Sequence, residues 1–140
     1  MQPDSSVLNL AGAKQVMDWF GFWPSFHDAE ILNISFDREN ASRIRVHYFA
    51  TNAKVNKNGY YATEKHAIVS FIIEDPTHVE IYGFNQQNVM SSIAVTPVET
   101  GYEIQLVGCY GISGHITAKN LRFELEPGMP ANSNYSETLL

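Results

Sequence analysis

A single cysteine, Cys109, stands in a chain of 140 residues. One thiol closes no internal disulfide and supplies no paired-cysteine metal motif, so nothing asks for an oxidising compartment. Basic charge is scarce as well: nine Lys and Arg face fifteen Asp and Glu, for a formal net charge of -6. The basic residues are scattered, and only Lys54 with Lys57 and Arg43 with Arg45 come close to clustering. That excludes a general nucleic-acid binder, which needs a basic track for phosphates. No apolar run approaches the ~20 residues that cross a bilayer. The opening Met-Gln-Pro-Asp-Ser-Ser has neither the basic n-region nor the apolar core of a signal peptide. A cytoplasmic protein with no membrane partner is the expectation.

What the chain does contain is an ordinary share of core-forming residues, 44% hydrophobic against 17% charged. At this length a globule buries roughly two-thirds of the surface its unfolded chain exposes, enough to fold without staples. We expect one domain over residues 1–126 and an extended tail at 127–140, where Pro127, Gly128, Pro130 and a Ser/Asn-rich run break regular structure.

Between Leu8 and Phe20 the residues Ala13, Val16, Met17 and Phe20 take the i, i+3, i+4, i+7 positions of one helical face. Ser5, Ser6 and Asn9 are candidate caps. Gly21 at C′ and Pro24 just beyond signal the stop. After that the apolar pattern turns to period two and predicts seven strands, at about 30–36, 42–50, 60–73, 77–84, 88–97, 101–108 and 114–125. The links between them, including Asn58-Gly59, Asp75-Pro76 and Gly111 to Gly114, are too short for parallel crossovers. The fold class is therefore α+β: an N-terminal helix packed on a curved, mostly antiparallel meander sheet of about seven strands. Alternation puts Val79, Ile81, Val89, Ile93, Val95, Ile104, Leu106, Leu121, Phe123 and Leu125 on the core face. His78, Glu80 and Tyr82 go to a polar, net acidic outer face with Glu103, Gln105, Arg122, Glu124 and Glu126.

The densest chemistry lies at the helix-to-strand junction, Trp23-Pro24-Ser25-Phe26-His27-Asp28-Ala29-Glu30. His27, Asp28 and Glu30 offer three potential metal ligands within four residues, with His47, His66, His78 and His115 available to complete a set. In an extended segment, however, His27 points away from Asp28 and Glu30, and no His-x-His repeat supports the site. The competing reading has Asp28 accepting backbone N–H groups in the turn and His27 donating to a carbonyl. If the first strand starts near Asp28, then Asp28 and Glu30 share a face with Leu32, Ile34 and Phe36. A carboxylate at the core edge must then be bonded, paired or lifted to solvent. A triad of Cys109 or Ser25 with His27 and Asp28 is disfavoured, because neighbouring His and Asp do not orient each other. Cys109 closes an apolar strand, where a thiol is commonly a small buried hydrophobe. The acid pair Asp28 and Glu30 has no defined separation for glycoside chemistry. Trp19, Phe20, Phe22, Trp23 and Phe26 read as a cluster pinning helix to sheet, and Gly108, Gly111 and Gly114 as turn glycines, not a phosphate loop.

The run Gly21-Phe22-Trp23-Pro24-Ser25-Phe26-His27-Asp28-Ala29-Glu30 at the end of the N-terminal helix resembles the signature segment of the immunity protein 50 family of bacterial polymorphic toxin systems. Phe84-Asn85-Gln86-Gln87-Asn88-Val89, followed by an alternating strand, a Gly-containing hairpin and a closing strand at Leu121 to Leu125, is a second likeness. The resemblance spans most of the chain. It implies a small protein that binds a cognate toxin, blocks its action and catalyses nothing. The acidic balance suits a basic partner. Tyr82, Tyr48, Tyr60 and Tyr61 are candidate anchors. Trp23, Phe26, His27, Asp28, Glu30 and Tyr82 are the candidate binding residues, with no cofactor and no metal assigned. The alternatives are a small hydrolase, metal-dependent or not, using His27, Asp28 and Glu30, and a module whose curved sheet encloses an apolar ligand in a dry pocket near the aromatic cluster.

Overall fold

The structure, a computed structural model, describes residues 3–55 and 61–130, with side chains described outside 51–55 and 61–63. The expected helix is broken in two: α1 spans Ser5–Leu8 and α2 spans Ala13–Phe20. Asp4, not a serine, caps α1, its carboxylate accepting the Ser6 N–H at 2.8 Å. The break falls at Gly12, in the left-handed region at φ 84, where a Cβ would collide with the Phe123 carbonyl. Here the helix junction lies directly on the sheet, and the Phe123 N–H donates to the Ala11 carbonyl at 2.8 Å. α2 buries Ala13, Val16 and Phe20, as the 3.6-residue period predicts, and stops at left-handed Gly21, whose N–H reaches the Met17 carbonyl. Trp19 Nε1 donates to the Lys65 carbonyl at 2.9 Å, and the Lys65 ammonium sits 5.0 Å from the Trp19 ring, fastening α2 to the sheet.

Among the described residues the strands number six: β1 Glu30–Ser35, β2 Ser42–Val55, β3 Tyr61–Tyr82, β4 Val89–Val98, β5 Gly101–Tyr110 and β6 Ser113–Pro127. Every ladder is antiparallel. Two three-strand meanders join side by side, β3 against β6, and β1 meets β4 to close a barrel in the order β1-β2-β3-β6-β5-β4. Closure is how the twisted sheet removes most of its edges.

The seventh strand is lost because Asp75-Pro76 bends β3 without ending it. Asp75 takes φ 54, a bulge follows between Pro76 and His78, and the strand continues along β6 to Tyr82. Pro76 costs no ladder bond on the other side, since β2 pairs with β3 only as far as Ile73. Beyond that point β3 has one neighbour, which is why Val79, expected in the core, is 39% exposed. A second phase error lies in β1. Ala29 and Ile31 are buried ahead of a bulge between Ile31 and Asn33, Ile34 packs on the core after it, and Phe36, read from sequence as a core-face residue, lies past the strand end at Ser35 and is 51% exposed. Asp28 and Glu30 do not share the core face.

The barrel interior is filled. Phe26 lies at its centre, with ring centroids 5.3 Å from Tyr48, 5.5 Å from Phe71 and 6.3 Å from Trp23. Phe123 closes the cluster at 5.0 Å from Trp23 and 5.2 Å from Phe71. Such edge-on and tilted pairs each add about 0.5–1.5 kcal/mol to the area they bury. The Asn58-Gly59 turn and residues 131–140 of the expected tail lie outside the described residues.

Candidate functional site

The Trp23 to Glu30 segment forms the seam of the barrel. Its backbone zips to β4 beyond the one formal ladder pair, Glu30 with Val89. Ile93 N–H donates to the Ser25 carbonyl at 3.0 Å, Asp28 N–H to Met90 at 2.9 Å, Met90 N–H to Ala29 at 2.8 Å and Ile31 N–H to Asn88 at 2.9 Å. To make these bonds the chain places two non-glycine residues, Phe26 at φ 63 and Asp28 at φ 67, in the left-handed region. Each costs about 1–2 kcal/mol. The first is offset by full burial of the Phe26 ring, worth about 1.5–3 kcal/mol.

His27, Asp28 and Glu30 do not converge as a three-ligand group among the described residues, but His27 and Asp28, expected to point apart, are neighbours. His27 is exposed, its Nδ1 3.2 Å from the Ser91 carbonyl and its Nε2 3.6 Å from Asp28 Oδ1. The carbonyl contact is the one expected for His27. The Asp28 carboxylate, in contrast, takes no backbone N–H among the described contacts and faces solvent, close enough to Tyr48 that burial first and this negative charge second push the phenol up. Glu30 turns to the outer face, opposite His47 on β2 and Val89 on β4. Burial alone raises its carboxyl. Trp23 and Phe26 belong to the core.

The remaining histidines assemble elsewhere. His47 and His66 are buried against each other, Nε2 to Nδ1 at 2.9 Å with stacked rings. Burial, with the neighbouring His66 second, brings His47 down to about 4. Burial lowers His66 too. His78 and His115 meet over Glu80 on the outside of β3 and β6. None of these four joins His27, Asp28 and Glu30 in a cluster among the described residues. Cys109, expected buried, is exposed, with Ser91 Oγ 3.8 Å away.

Sequence reasoning missed Asn88. It is 2% exposed, and its Oδ1 accepts N–H groups from Asn85 at 3.0 Å and Ile112 at 3.2 Å while Nδ2 donates to the Asn85 carbonyl at 2.7 Å. One side chain thereby ties the β3–β4 link to the β5–β6 turn. Gly83 and Gly111 adjoin there, a Cβ on Gly83 meeting the Gly111 carbonyl. Tyr82 ends β3, Tyr110 ends β5 and Phe84 lies in the link between β3 and β4, and the three residues are 61%, 66% and 51% exposed in that order. Of the candidate anchors whose side chains are described, Tyr82 is exposed and Tyr48 is buried; those of Tyr60 and Tyr61 lie outside the described residues. Next to the aromatic cluster lies an open apolar groove of about 570 Å³, lined by Trp23, Pro24 and Ser25 together with Ile93, Val95 and Pro97. It is a surface feature, outside the filled barrel.

Fold and site together define a small antiparallel barrel with an aromatic interior, which carries His27, Asp28, the His78, Glu80 and His115 group and the exposed Tyr82, Phe84 and Tyr110 on its outside. The chain belongs to the Immunity protein 50 family, whose model matches residues 12–126, from the helix break at Gly12 through β6 to Glu126. No curated protein and no solved structure matches it. No helix among the described residues is long and apolar enough to cross a membrane.

Proposed function

We propose that this protein is a bacterial, cytoplasmic immunity protein that binds a cognate toxin domain and blocks it, acting by contact and not by catalysis. The family match across residues 12–126 is the observation that carries this reading. The packing supports it, since Trp23 and Phe26 of the signature close a rigid barrel that presents a preformed surface at little entropic cost. Tyr82, Phe84 and Tyr110 are the proposed anchors, large amphipathic side chains of the kind that dominate interface energetics. His27 and Asp28, exposed beside the seam, are proposed rim contacts, and the net charge of -6 steers a basic toxin. Capture from native lysate tests the reading. The product of the gene immediately upstream is expected to co-purify in stoichiometric amount and to arrest growth when expressed without this protein. A metabolic enzyme at that position, with no co-purifying partner, overturns it.

A further inference from the structure

We propose that His78, Glu80 and His115 form a surface site for a divalent transition-metal ion of the zinc class, independent of the toxin reading and of the signature segment. Three chain features bring the ligands together. His78 and Glu80 are two apart on β3 and so share its outer face. Glu80 pairs directly with His115 on β6, a register set by the bulge between Pro76 and His78. Gly114, beside His115, lies so close to the Glu80 carbonyl that a Cβ there would clash, which holds the two strands tight at the cluster.

The donor atoms are spaced as the ligands of a single metal ion would be. The Nε2 atoms of His115 and His78 lie 3.1 and 3.5 Å from the same carboxylate oxygen, Glu80 Oε2. Ligands at 2.0–2.1 Å around a tetrahedral zinc are about 3.3–3.4 Å apart. All three donor atoms fall within 4.8 Å of one another. The imidazoles stack at 5.2 Å with 24° between their planes, so modest side-chain rotation closes the remaining gap. Two imidazoles and one carboxylate suit Zn²⁺ and its neighbours in the transition series, not Ca²⁺ or Mg²⁺, which want oxygen donors. Three protein ligands leave a fourth position for water or for a group from outside. Glu80 supplies formal negative charge, and the overall acidity of the chain favours a cation.

The test titrates Zn²⁺ into the full chain, purified without a polyhistidine tag and stripped with chelator, while histidine ring resonances are followed by NMR. One ion per chain is expected to bind, shifting His78 and His115 and leaving His27 in place. His115→Ala and Glu80→Ala each weaken binding by at least about tenfold, and the double substitution of His78 and His115 by Ala abolishes it. These side chains are partly exposed, so the variants should melt as the parent does. The NMR arm stands even where a variant does not fold. Substoichiometric binding, saturation that moves other histidines instead, or a double variant that binds like the parent overturns the proposal.

Discussion

Phe26 stands 5.5 Å from Phe71, ring centroid to centroid, although its own backbone is left-handed. The fold accepts a strained residue in order to deliver its ring to the barrel axis, and Asp28 repeats the conformation two positions on. Removing the ring by Phe26→Ala leaves the strain and forfeits the packing. We predict a loss of about 3–5 kcal/mol in denaturant unfolding. At Asp28, where the side chain is exposed, backbone alone decides. Asp28→Gly should lie within about 0.5 kcal/mol of the parent, and Asp28→Val should cost about 1–2 kcal/mol. Equal stability of the Gly and Val variants would contradict the account of the seam.

Asn88 is predicted to matter as much as a core residue. Asn88→Ala strips the acceptor from the buried Ile112 N–H and from Asn85 in one step. Each donor left unsatisfied in the interior costs about 1–3 kcal/mol. Thermal melting reads the loss, and hydrogen exchange locates it. Protection should fall at Ile112 and along 83–88 before it falls in β2. A melt within experimental error of the parent would remove Asn88 from its assigned role.

Much of this architecture was legible in the sequence, and the failures share a cause. The amphipathic face of α2, the Gly21 stop, the burial of Phe20, Trp23 and Phe26 and the antiparallel strands follow from period and turn chemistry, which are local, whereas Phe22, grouped with those aromatics from the sequence, is 43% exposed. Asp75-Pro76 reads locally as a turn, yet whether a proline ends a strand depends on whether a neighbour needs its N–H, and β2 has already left at Ile73. The phase of β1 slipped at a bulge that no alternation pattern marks. His78 and Glu80 were visible as an i, i+2 pair, whereas His115 reaches them only through the β3–β6 register. Likewise His47 and His66 sit 19 positions apart and meet through pairing alone. The Asn85 to Asn88 link announced a loop, but not that Asn88 would be its buried clasp.

The buried pair His47 and His66 makes stability fall with acid. Both imidazoles are held neutral in the fold, His47 down at about 4 against an unfolded value near 6.5. Below ~6.5 the unfolded chain therefore binds more protons than the folded one. The contribution is complete above about pH 6.5 and is lost progressively as pH falls toward 4. Its size is on the order of 1–3 kcal/mol. Glu30, in the adjoining outer-face row and raised by burial, acts in the opposite sense, its penalty being relieved as it takes up a proton. His47 carries a large shift, with His66 acting in the same sense, so the net slope follows the pair. Melting curves from pH 7.5 to 4.5 should show the fall, and His47 followed by NMR should titrate well below the ordinary imidazole value near 6.5. A His47 resonance that titrates near 6.5 would refute the assignment.

The exposed rings separate binding from folding. Tyr82, Phe84 and Tyr110 project from one end of the barrel and take no part in its core cluster, so alanine at each should leave the melting temperature nearly unchanged. If they are the anchors of a toxin complex, Tyr82→Ala and Tyr110→Ala should each cost about 2 kcal/mol or more of affinity, roughly thirtyfold in Kd, with the loss appearing mainly in the dissociation rate. His27→Ala, at the rim, should cost less than about 1 kcal/mol. Measuring all of them by biosensor against the co-purified partner distinguishes a central aromatic contact from a peripheral one. Parent-like affinity in the Tyr82 and Tyr110 variants, together with a large loss in His27→Ala, would move the interface from the Tyr82 end to the seam.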